Sequence, residues 1–376
     1  MSHFSAAPES AAALAALVRE APERFGLPHP SPGARVRVRL LGQGESYTAW
    51  LLTGGAAVPL VLRVPRRPVS ELPRPMGQEF AALSAVPDGM GPAPVRFEAD
   101  EDNPLGTPYL VTGYIPGRER PSQAWDDRLL TAHVRQMARL HGRIHDRRGP
   151  IGAAPGDAPP ARETPGSASP HPSPARPGVS LTDDLADGLS WWREARPDVL
   201  ADPEVSRLLP RVVAFVGAAA PAFARLERFV LVHGDLVVPN VLVDGAGRPR
   251  YIDWEWAEIG DPAQDLAYIG GYVAAPPWYV PLDRRRIRGL LVEYLRRVAA
   301  ERTGAAADGG CADSDGPEGP DALADLEIRR DAWEVYERFL SSLHFRTRRG
   351  TPEDRRSGRY THAVARLTAG LESRLG

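Results

Sequence analysis

The sequence predicts an α+β fold, with a small antiparallel-sheet lobe that carries one helix and a larger, mostly helical lobe after it. Two observations lead to this prediction. Short apolar runs separated by glycine turns fill residues 36–64, a pattern typical of an antiparallel meander. From residue 124 onward, apolar residues recur mostly at helical spacing. We therefore place an N-terminal lobe at 1–112 and a C-terminal lobe at 113–376.

Length and charge limit the classes of partner. The 376 residues correspond to about two or three domains. The formal net charge is -2, so neither nucleic acid nor an anionic membrane is expected as a partner. The single cysteine, Cys311, excludes an intrachain disulfide. No run of about 18 apolar residues occurs, and the N-terminus lacks a basic signal-peptide start. We expect a soluble cytoplasmic protein, and no pattern indicates its oligomeric state.

The N-terminal lobe begins with a predicted amphipathic helix over 9–25. Apolar residues then alternate with arginines from Val36 to Leu40, which predicts a half-buried strand. Two further strands are predicted at 47–52 and 59–64. Glycine turns separate the three strands, so they are expected to form the meander.

The turn between the first two strands contains Gly42, Gly44 and Ser46. Glycine lets backbone N–H groups approach phosphate oxygens closely, so this turn is a candidate for nucleotide binding. A plain hairpin turn is the alternative, because the third glycine of the G-x-G-x-x-G pattern is missing.

Arg63 ends the third strand, where its guanidinium could bind the α- and β-phosphates of a nucleotide. Alternatively, it is an exposed arginine on a basic edge with Arg66 and Arg67. A helix is predicted over 77–86, and Glu79 at its start is the natural carboxylate to pair with Arg63.

Residues 107–117 are predicted to form a strand that glycine and proline interrupt, as expected where a chain crosses between two lobes. The carbonyl of Gly113 and the N–H of Ile115 could then bind the edge of an adenine ring. An edge strand that ends at a turn is equally compatible with this pattern.

Apolar spacing predicts six helical segments in the C-terminal lobe. They span 124–146, 182–195, 205–228, 282–302, 322–345 and 353–375. Two stretches of small and polar residues cannot bury a core, so flexible insertions are predicted at 149–179 and 303–320.

Charged residues in these helices have competing interpretations. Asp183, Asp184 and Asp187 could line a pocket for a cationic substrate or could form a solvated acidic helix start. Thr182 or Asp183 is expected to cap that helix. Arg346, Arg348 and Arg349 form a basic cluster that is expected at a solvated helix end, where cations suit the helix dipole.

The segment 231–253 carries the strongest chemical signal. Apolar runs flank Asp235 and lead to Asp253, which predicts strand, loop, strand, turn and strand. Asp235, Asn240 and Asp253 are the residue types that phosphoryl transfer requires. One carboxylate accepts a hydroxyl proton, while the amide and the second carboxylate hold Mg²⁺ against the phosphates.

Two other polar patterns are expected to be structural. Asp261 followed by Pro262 predicts a helix start, so Asp261 and Asp265 are expected to be structural rather than catalytic. His141 and His145 lie four residues apart in a predicted helix, but no third metal ligand is nearby in the sequence.

Taken in order, these motifs resemble those of the aminoglycoside phosphotransferase and choline-kinase-like family. The resemblance covers about 36–150 and 180–345 and is most specific over 231–267. It rests on His-Gly-Asp-Leu-Val-Val-Pro-Asn at 233–240, Ile-Asp-Trp at 252–254 and Gly-Asp-Pro-Ala-Gln-Asp-Leu-Ala at 260–267. It implies a protein-kinase-like two-lobed fold and phosphoryl transfer from ATP or GTP, with Mg²⁺, to a hydroxyl of a small molecule.

By position, the resemblance implies that Asp235 is the catalytic base or orients the hydroxyl. It also implies that Asn240 and Asp253 bind Mg²⁺ and that His233 is structural. Arg63, paired with Glu79, would bind the nucleotide phosphates. Arg63 replaces the lysine usual in the family. The run around it is similar to the macrolide-kinase branch, which often accepts GTP.

An aminoglycoside or related antibiotic is the expected acceptor, which would suit either antibiotic resistance or self-protection in an antibiotic producer. The alternatives are a metabolic kinase that acts on choline, a sugar or an amino alcohol, and a non-catalytic binder of nucleotides or metabolites. A protein kinase is disfavoured, because Asp253 leads straight to Gly260 and Asp261 without a D-F-G to A-P-E segment.

Overall fold

The computed structural model describes residues 10–27, 36–54, 56–151, 178–303 and 320–376. The chain divides into two compact units, and the division falls between Pro116 and Gly117. Apart from their first and last residues, the insertions predicted at 149–179 and 303–320 lie outside the described residues, as does Cys311.

The first unit contains the predicted antiparallel sheet. Its five strands lie in the spatial order β1-β2-β3-β5-β4, and every neighbouring pair is antiparallel. The strands are β1 (Arg37–Gln43), β2 (Tyr47–Thr53), β3 (Leu60–Pro65), β4 (Pro94–Glu98) and β5 (Tyr109–Gly113). Of these, β4 was not predicted from the sequence.

Two helices accompany this sheet, α1 (Ala11–Glu20) and α2 (Met76–Ala85). The helix α1 is shorter than the predicted span 9–25, because Ser10 caps its start and a 3₁₀ turn occupies Pro22–Phe25. Its buried Leu14 and Val18 join a hydrophobic core with strand residues. Those strand residues include Trp50, Leu62, Val64 and Val111.

The strand predicted from Val36 to Leu40 was expected to be half-buried, and this prediction is wrong at the C-terminal end of the strand. Leu40 is 42% exposed and Leu41 is 37% exposed. The strand β1 lies at the edge of the sheet, and its register against β2 shifts between Leu40 and Gly42. An edge strand with such an irregularity does not keep one face against the core.

The second unit is mostly helical, as predicted. Its helices are α3 (Asp127–Leu140), α4 (Leu181–Ala195), α5 (Pro197–Leu200), α6 (Pro203–Ala218), α7 (Ala220–Ala224), α8 (Pro262–Tyr268), α9 (Arg284–Thr303), α10 (Pro320–Arg348), α11 (Pro352–Ser357) and α12 (Arg359–Leu375). None of the helices in the described part of the chain is both long and apolar enough to cross a membrane.

Short strands complete the second unit in three small sheets, ordered β10-β9-β6, β11-β8-β7 and β12-β13. They are β6 (Arg118–Glu119), β7 (Ile144–His145), β8 (Phe229–Val232), β9 (Val241–Val243), β10 (Pro249–Tyr251), β11 (Glu258–Gly260), β12 (Gly270–Gly271) and β13 (Val280–Pro281).

Four helix predictions need correction. The single helix predicted over 205–228 is two helices, α6 and α7, and the second ends at Ala224. The helix predicted over 124–146 ends at Leu140, because the chain then turns into β7, which pairs with β8. The cap of α4 is Ser180, whose hydroxyl accepts the N–H of Asp183 at 3.4 Å. The helix predicted over 353–375 is broken by Gly358, whose φ of 66° ends α11 and starts α12.

Two charged residues expected at the surface are buried instead. Asp184 is 2% exposed and accepts a 2.8 Å hydrogen bond from Arg148, which also contacts Glu258 at 3.4 Å. Arg346 is 8% exposed and donates to Glu204 at 2.6 Å. Buried charges require such partners, so Asp184 is committed within the fold rather than to a substrate.

Candidate active site

The segment 229–253 forms a compact strand, loop and hairpin. All four residues of β8 are buried, and the chain leaves β8 directly into the loop that contains Asp235. A 3₁₀ turn at Val238–Asn240 leads into β9, which pairs with β10 as a hairpin. The N–H of Ile252 then donates to the carbonyl of Asn240 at 3.0 Å. The hairpin therefore brings Asp253 back beside Asn240.

Asn240 holds the carboxylate of Asp235. Its Nδ2 donates to Oδ2 of Asp235 at 2.8 Å and to the carbonyl of the same residue at 2.9 Å. Because the amide nitrogen faces Asp235, the amide oxygen is the Asn240 atom left to bind a cation.

Asp253 has an unusual backbone conformation. Its φ is 68°, and it is the one non-glycine residue in the described chain with a positive φ. Aspartate tolerates this left-handed region better than most residues, but the conformation still needs support from its surroundings. The preceding residue, Ile252, supplies that support through both its N–H and its carbonyl. The backbone that leads into Asp253 is thus held by Asn240 and His233.

The buried carboxylate of Asp265 holds the backbone of the loop that contains Asp235. Its carboxylate accepts the backbone N–H of His233 at 2.8 Å and that of Gly234 at 3.0 Å. His141 donates to the same carboxylate at 3.2 Å, and both side chains are fully buried. Burial alone would raise the pKa of Asp265, but the hydrogen bond from His141, together with further interactions with His141 and His233, outweighs burial and lowers that pKa. Asp265 is therefore an ionised structural group.

The ring of His233 connects the two halves of the site. Its Nδ1 accepts the N–H of Asp235 at 3.3 Å, so its Nε2 carries the proton that is donated to the carbonyl of Ile252 at 3.0 Å. Burial lowers the pKa of His233 and keeps the ring neutral. A neutral ring with this tautomer fixes the loop backbone and leaves no nitrogen for a metal.

Gly234 is required by the shape of the loop. Its φ is 77°, and an added Cβ would lie 2.5 Å from the carbonyl oxygen of Trp256. Any side chain would meet both the strained backbone and this overlap. The glycine therefore permits the close approach of two backbone segments.

Asp235 lies in a strongly acidic environment. Its side chain is partly exposed, yet burial of the carboxyl is the largest cause that raises its pKa well above the usual value. Nearby carboxyls raise the pKa further, namely those of Asp253, Glu255 and Glu337. A carboxylate with a raised pKa accepts a proton more readily, and the cluster as a whole favours cations.

Glu337 is a member of this cluster that the sequence did not reveal. It lies on α10, is 3% exposed, and accepts a 3.3 Å hydrogen bond from Gln264. Burial raises the pKa of Glu337 to about 7, although hydrogen bonds from Tyr268 and Gln264 oppose this shift. Several buried charges share α10, so nothing in its sequence pattern distinguishes this glutamate.

In the first unit, Arg63 and Glu79 form the predicted ion pair. Glu79 is 2% exposed, and the Arg63 guanidinium carbon lies 4.4 Å from the centre of the Tyr47 ring. The ion pair and the stacking contact together orient the guanidinium.

The glycine turn before β2 is closed by a hydrogen bond from the N–H of Gly44 to the carbonyl of Tyr47, at 2.9 Å. Neither Gly42 nor Gly44 has a positive φ. An added Cβ at Gly42 would meet nothing within 4 Å, and one at Gly44 would meet only the Tyr47 carbonyl at 3.7 Å. Ser46 is 4% exposed. Neither backbone conformation nor packing therefore requires these two glycines.

Gly113 is the last residue of β5, and its N–H donates to the carbonyl of Ala93 at 2.8 Å. The next N–H, that of Tyr114, donates to the carbonyl of Pro59 at 2.9 Å. The N–H of Ile115 has no hydrogen-bond partner among the residues that the structure describes. It therefore stays a candidate for the adenine edge.

A family model described as the phosphotransferase enzyme family matches residues 37–306. The chain belongs to this family. A search of curated proteins finds no match to it. Three solved structures, each 16% identical in sequence, share the kinase-like fold and confirm the predicted fold class.

The first of these structures is a protein of Ralstonia eutropha JMP134 provisionally named an aminoglycoside phosphotransferase, with TM-score 0.56 and 97% of each chain covered. The second is a thermostable mutant of aminoglycoside phosphotransferase APH(4)-Ia with AMP-PNP and hygromycin B, with TM-score 0.54, covering 96% of this chain and 98% of that one. The third is a protein of Thermobifida fusca YX-ER1 provisionally named a fructosamine-3-kinase, with TM-score 0.53, covering 94% and 98%.

The loop of Asp235 offers two residues that could hold a Mg²⁺ ion together with other ligands. Within the described ranges, no group of three or more His, Cys, Asp or Glu residues could hold a metal by itself. Asn240 and Asp253 offer an amide oxygen and a carboxylate, which are hard ligands of the kind that Mg²⁺ prefers. Phosphate oxygens and water are the ligands expected to complete such a site.

Proposed function

We propose that this phosphotransferase moves the γ-phosphoryl group of ATP or GTP to a hydroxyl of a small molecule, with an aminoglycoside or related antibiotic as the favoured acceptor. One observation carries the proposal. The hydrogen bonds of Asn240 and Ile252 place Asp235, Asn240 and Asp253 around one small loop. A proton acceptor and two oxygen ligands for a cation are the parts that phosphoryl transfer needs.

In this proposal, the Asp235 carboxylate accepts the proton of the acceptor hydroxyl. The hydroxyl oxygen forms a bond to the γ-phosphorus, and the bond from that phosphorus to the β–γ bridging oxygen breaks, which releases the nucleoside diphosphate. The amide oxygen of Asn240 and the carboxylate of Asp253 would hold Mg²⁺, which when bound neutralises charge on the phosphates. The raised pKa of Asp235 suits a proton acceptor.

The nucleotide site is proposed in the first unit. Arg63, fixed by Glu79, would bind the phosphates through its guanidinium fork in place of the usual lysine. The backbone N–H groups of the turn with Gly42, Gly44 and Ser46 would approach the phosphates, since there is open space around both glycines. Gly113 and Ile115 would read the base by their backbone groups. AMP-PNP in one similar structure favours ATP over GTP as the first nucleotide to test.

The acidic cluster supports a cationic acceptor. The largest charge contributions to the pKa of Asp235 all come from carboxyls, those of Asp253, Glu255 and Glu337. An amine-bearing acceptor would be attracted to such a site, whereas an acidic one would be repelled. The similar enzyme solved with hygromycin B is in keeping with this acceptor class.

The test of the chemistry is turnover by Asp235→Asn and Asp235→Ala variants. We expect turnover to fall by roughly 10²–10⁴-fold, the range for a positioned general base. Asp244→Asn is the matched control, because Asp244 is a hydrogen-bonded carboxylate in the turn of the same hairpin. Turnover close to that of the wild type in both Asp235 variants, with folding intact, would refute the assignment.

A panel of acceptors tests the substrate class. Aminoglycosides, macrolides, choline, amino alcohols and sugar amines are offered with MgATP or MgGTP, and release of the nucleoside diphosphate is measured. A metabolic kinase is the second candidate, favoured by the similarity to a protein provisionally named a fructosamine-3-kinase. Nucleotide binding without turnover on any acceptor would instead favour a non-catalytic binder.

A further inference from the structure

Two arginines at the end of β3 hold the glycine turn of the first unit from one side. The guanidinium of Arg66 donates to the carbonyl of Gly44, and Nη2 of Arg67 donates to the carbonyl of Glu45 at 3.1 Å. The backbone N–H of Arg66 also donates to the carbonyl of Ser46 at 2.9 Å. Three successive carbonyls of the turn are therefore bound by two adjacent residues.

Peptide geometry directs the N–H groups on the opposite edge of this segment away from the arginines. In a planar trans peptide, the carbonyl of one residue and the N–H of the next point in opposite directions. Since the carbonyls of Gly44 and Glu45 face the arginines, the N–H groups of Glu45 and Ser46 are directed away from them. Successive N–H groups on one side of a turn form a concave surface that binds oxyanions.

The two glycines leave room for such a ligand. No positive φ or internal contact explains glycine at 42 or at 44, as the space around both positions shows. Glycine at a position that the fold does not require is expected where another molecule must approach the backbone. This observation is independent of the arginine contacts and points to the same turn.

We propose that Arg66 and Arg67 are positioning residues that hold the carbonyls of the turn, so that the N–H groups of Glu45 and Ser46 bind the phosphates of a nucleoside triphosphate. The inference rests on the proposed function, because it assumes that the first unit binds a nucleotide. In this proposal the arginines act through the turn, since each guanidinium donates a hydrogen bond to one of its carbonyls. Arg63, two residues before Pro65 on β3, remains the side chain that contacts phosphate directly.

The experiment compares the wild type with Arg66→Gln, Arg67→Gln and the double variant. Dissociation constants are measured for MgATP and MgGTP by calorimetry and for adenosine by ligand-observed NMR, each at low and high salt. The double variant is expected to bind the triphosphate that the wild type prefers about tenfold more weakly, because two anchoring hydrogen bonds are lost. Adenosine affinity and Tm are expected to stay unchanged, and Arg67→Lys should retain most of the affinity.

Arg39→Gln is the control, since it removes the same charge from an exposed position on β1. Wild-type triphosphate affinity in the double variant would overturn the inference, as would an equal loss for adenosine. A weaker salt dependence of triphosphate binding in the variants would assign the arginines to direct phosphate contact and also overturn it. If the wild type binds neither triphosphate, the proposed function falls together with the inference.

Discussion

Two loops of this phosphotransferase contain glycine for opposite reasons. In the loop of Asp235, the fold requires glycine at position 234, since φ is 77° there and a Cβ would overlap Trp256. In the turn of the first unit, Gly42 and Gly44 have ordinary backbone angles and open space around them. The first loop is fixed by buried groups and the second by exposed or partly exposed arginines. Buried hydrogen bonds thus make the loop of Asp235 rigid. The glycine turn of the first unit is held by surface side chains, and its backbone stays open to a ligand.

The largest effect is expected when Asp265, the buried carboxylate that holds the loop of Asp235, is removed. Asp265→Ala leaves the N–H groups of His233 and Gly234 buried without their acceptor. We expect a loss of roughly 3–5 kcal/mol in the free energy of unfolding, as for the loss of one partner from a buried charged pair. The measurement is urea unfolding followed by circular dichroism.

Asp244→Ala is the matched control for Asp265. Asp244 also accepts two backbone N–H groups, those of Ala246 and Arg248, and it pairs with the side chains of the exposed Arg248 and the partly exposed Arg250. Because water can reach most of these donors, its variant should lose less than Asp265→Ala, about 1–3 kcal/mol. Equal losses in the two variants would show that burial does not distinguish the two anchors.

The next test substitutes Gly234 itself. Gly234→Ala should lose roughly 2–4 kcal/mol, because left-handed strain adds to the overlap with the Trp256 carbonyl oxygen at 2.5 Å. Gly247→Ala separates these causes, since Gly247 has a φ of 78° but nothing within 4 Å. Its loss should be only about 1–2 kcal/mol from strain alone. Thermal unfolding of both variants checks this, and similar Tm values would eliminate the overlap as a cause.

Glu337 extends the comparison to pH. Its pKa is raised by burial to about 7, above the usual value of 4.5. As pH rises through this interval, Glu337 ionises in the unfolded chain while it is still protonated in the folded protein. The wild type therefore loses free energy of unfolding relative to Glu337→Gln. We expect the stability difference between the two to shift by roughly 2–3 kcal/mol from pH 5 to pH 8, in favour of the variant at high pH. Urea unfolding at both values tests this, and a constant difference would contradict it.

The smallest expected change in stability belongs to Gly44→Ala. With open space and no positive φ at this position, the free energy of unfolding should change by less than about 1 kcal/mol. The affinity for MgATP should nevertheless fall, because the added methyl group covers backbone that the phosphates are proposed to approach. Thermal unfolding and calorimetric titration give the two quantities separately. A large loss of stability would place Gly44 in the same class as Gly234.

Much of the fold could be predicted because its signals are local. The glycine turns and apolar runs of the first three strands are readable within a few residues, as is the helix start at Asp261 and Pro262, which caps α8 as predicted. The strand β7 was mistaken for helix, since Ile144 continues the helical spacing that ends at Leu140. The pairing of β7 with β8, which lies far along the chain, decides its structure.

The candidate site divides in the same way. The hydrogen bond between Asn240 and Asp235 spans five residues and could be expected from their spacing. The roles of Asp265 and Glu337 could not, because their partners and neighbours come from other elements. A carboxylate read in isolation does not show whether it will meet water, an arginine or another acid. Only the packed structure determines the pKa of each group.

The anchoring of Asp265 also bears on how the molecule folds. Its bond to His233 spans 32 residues, whereas its bond to His141 spans 124. The entropic cost of closing a chain segment rises with its length, so the hairpin beyond Asp235 can form early and the link to α3 late. A refolding chain should therefore recover hairpin structure before activity. The contact with His141, which directly follows α3, is then expected to stabilise the loop only after the hairpin has formed.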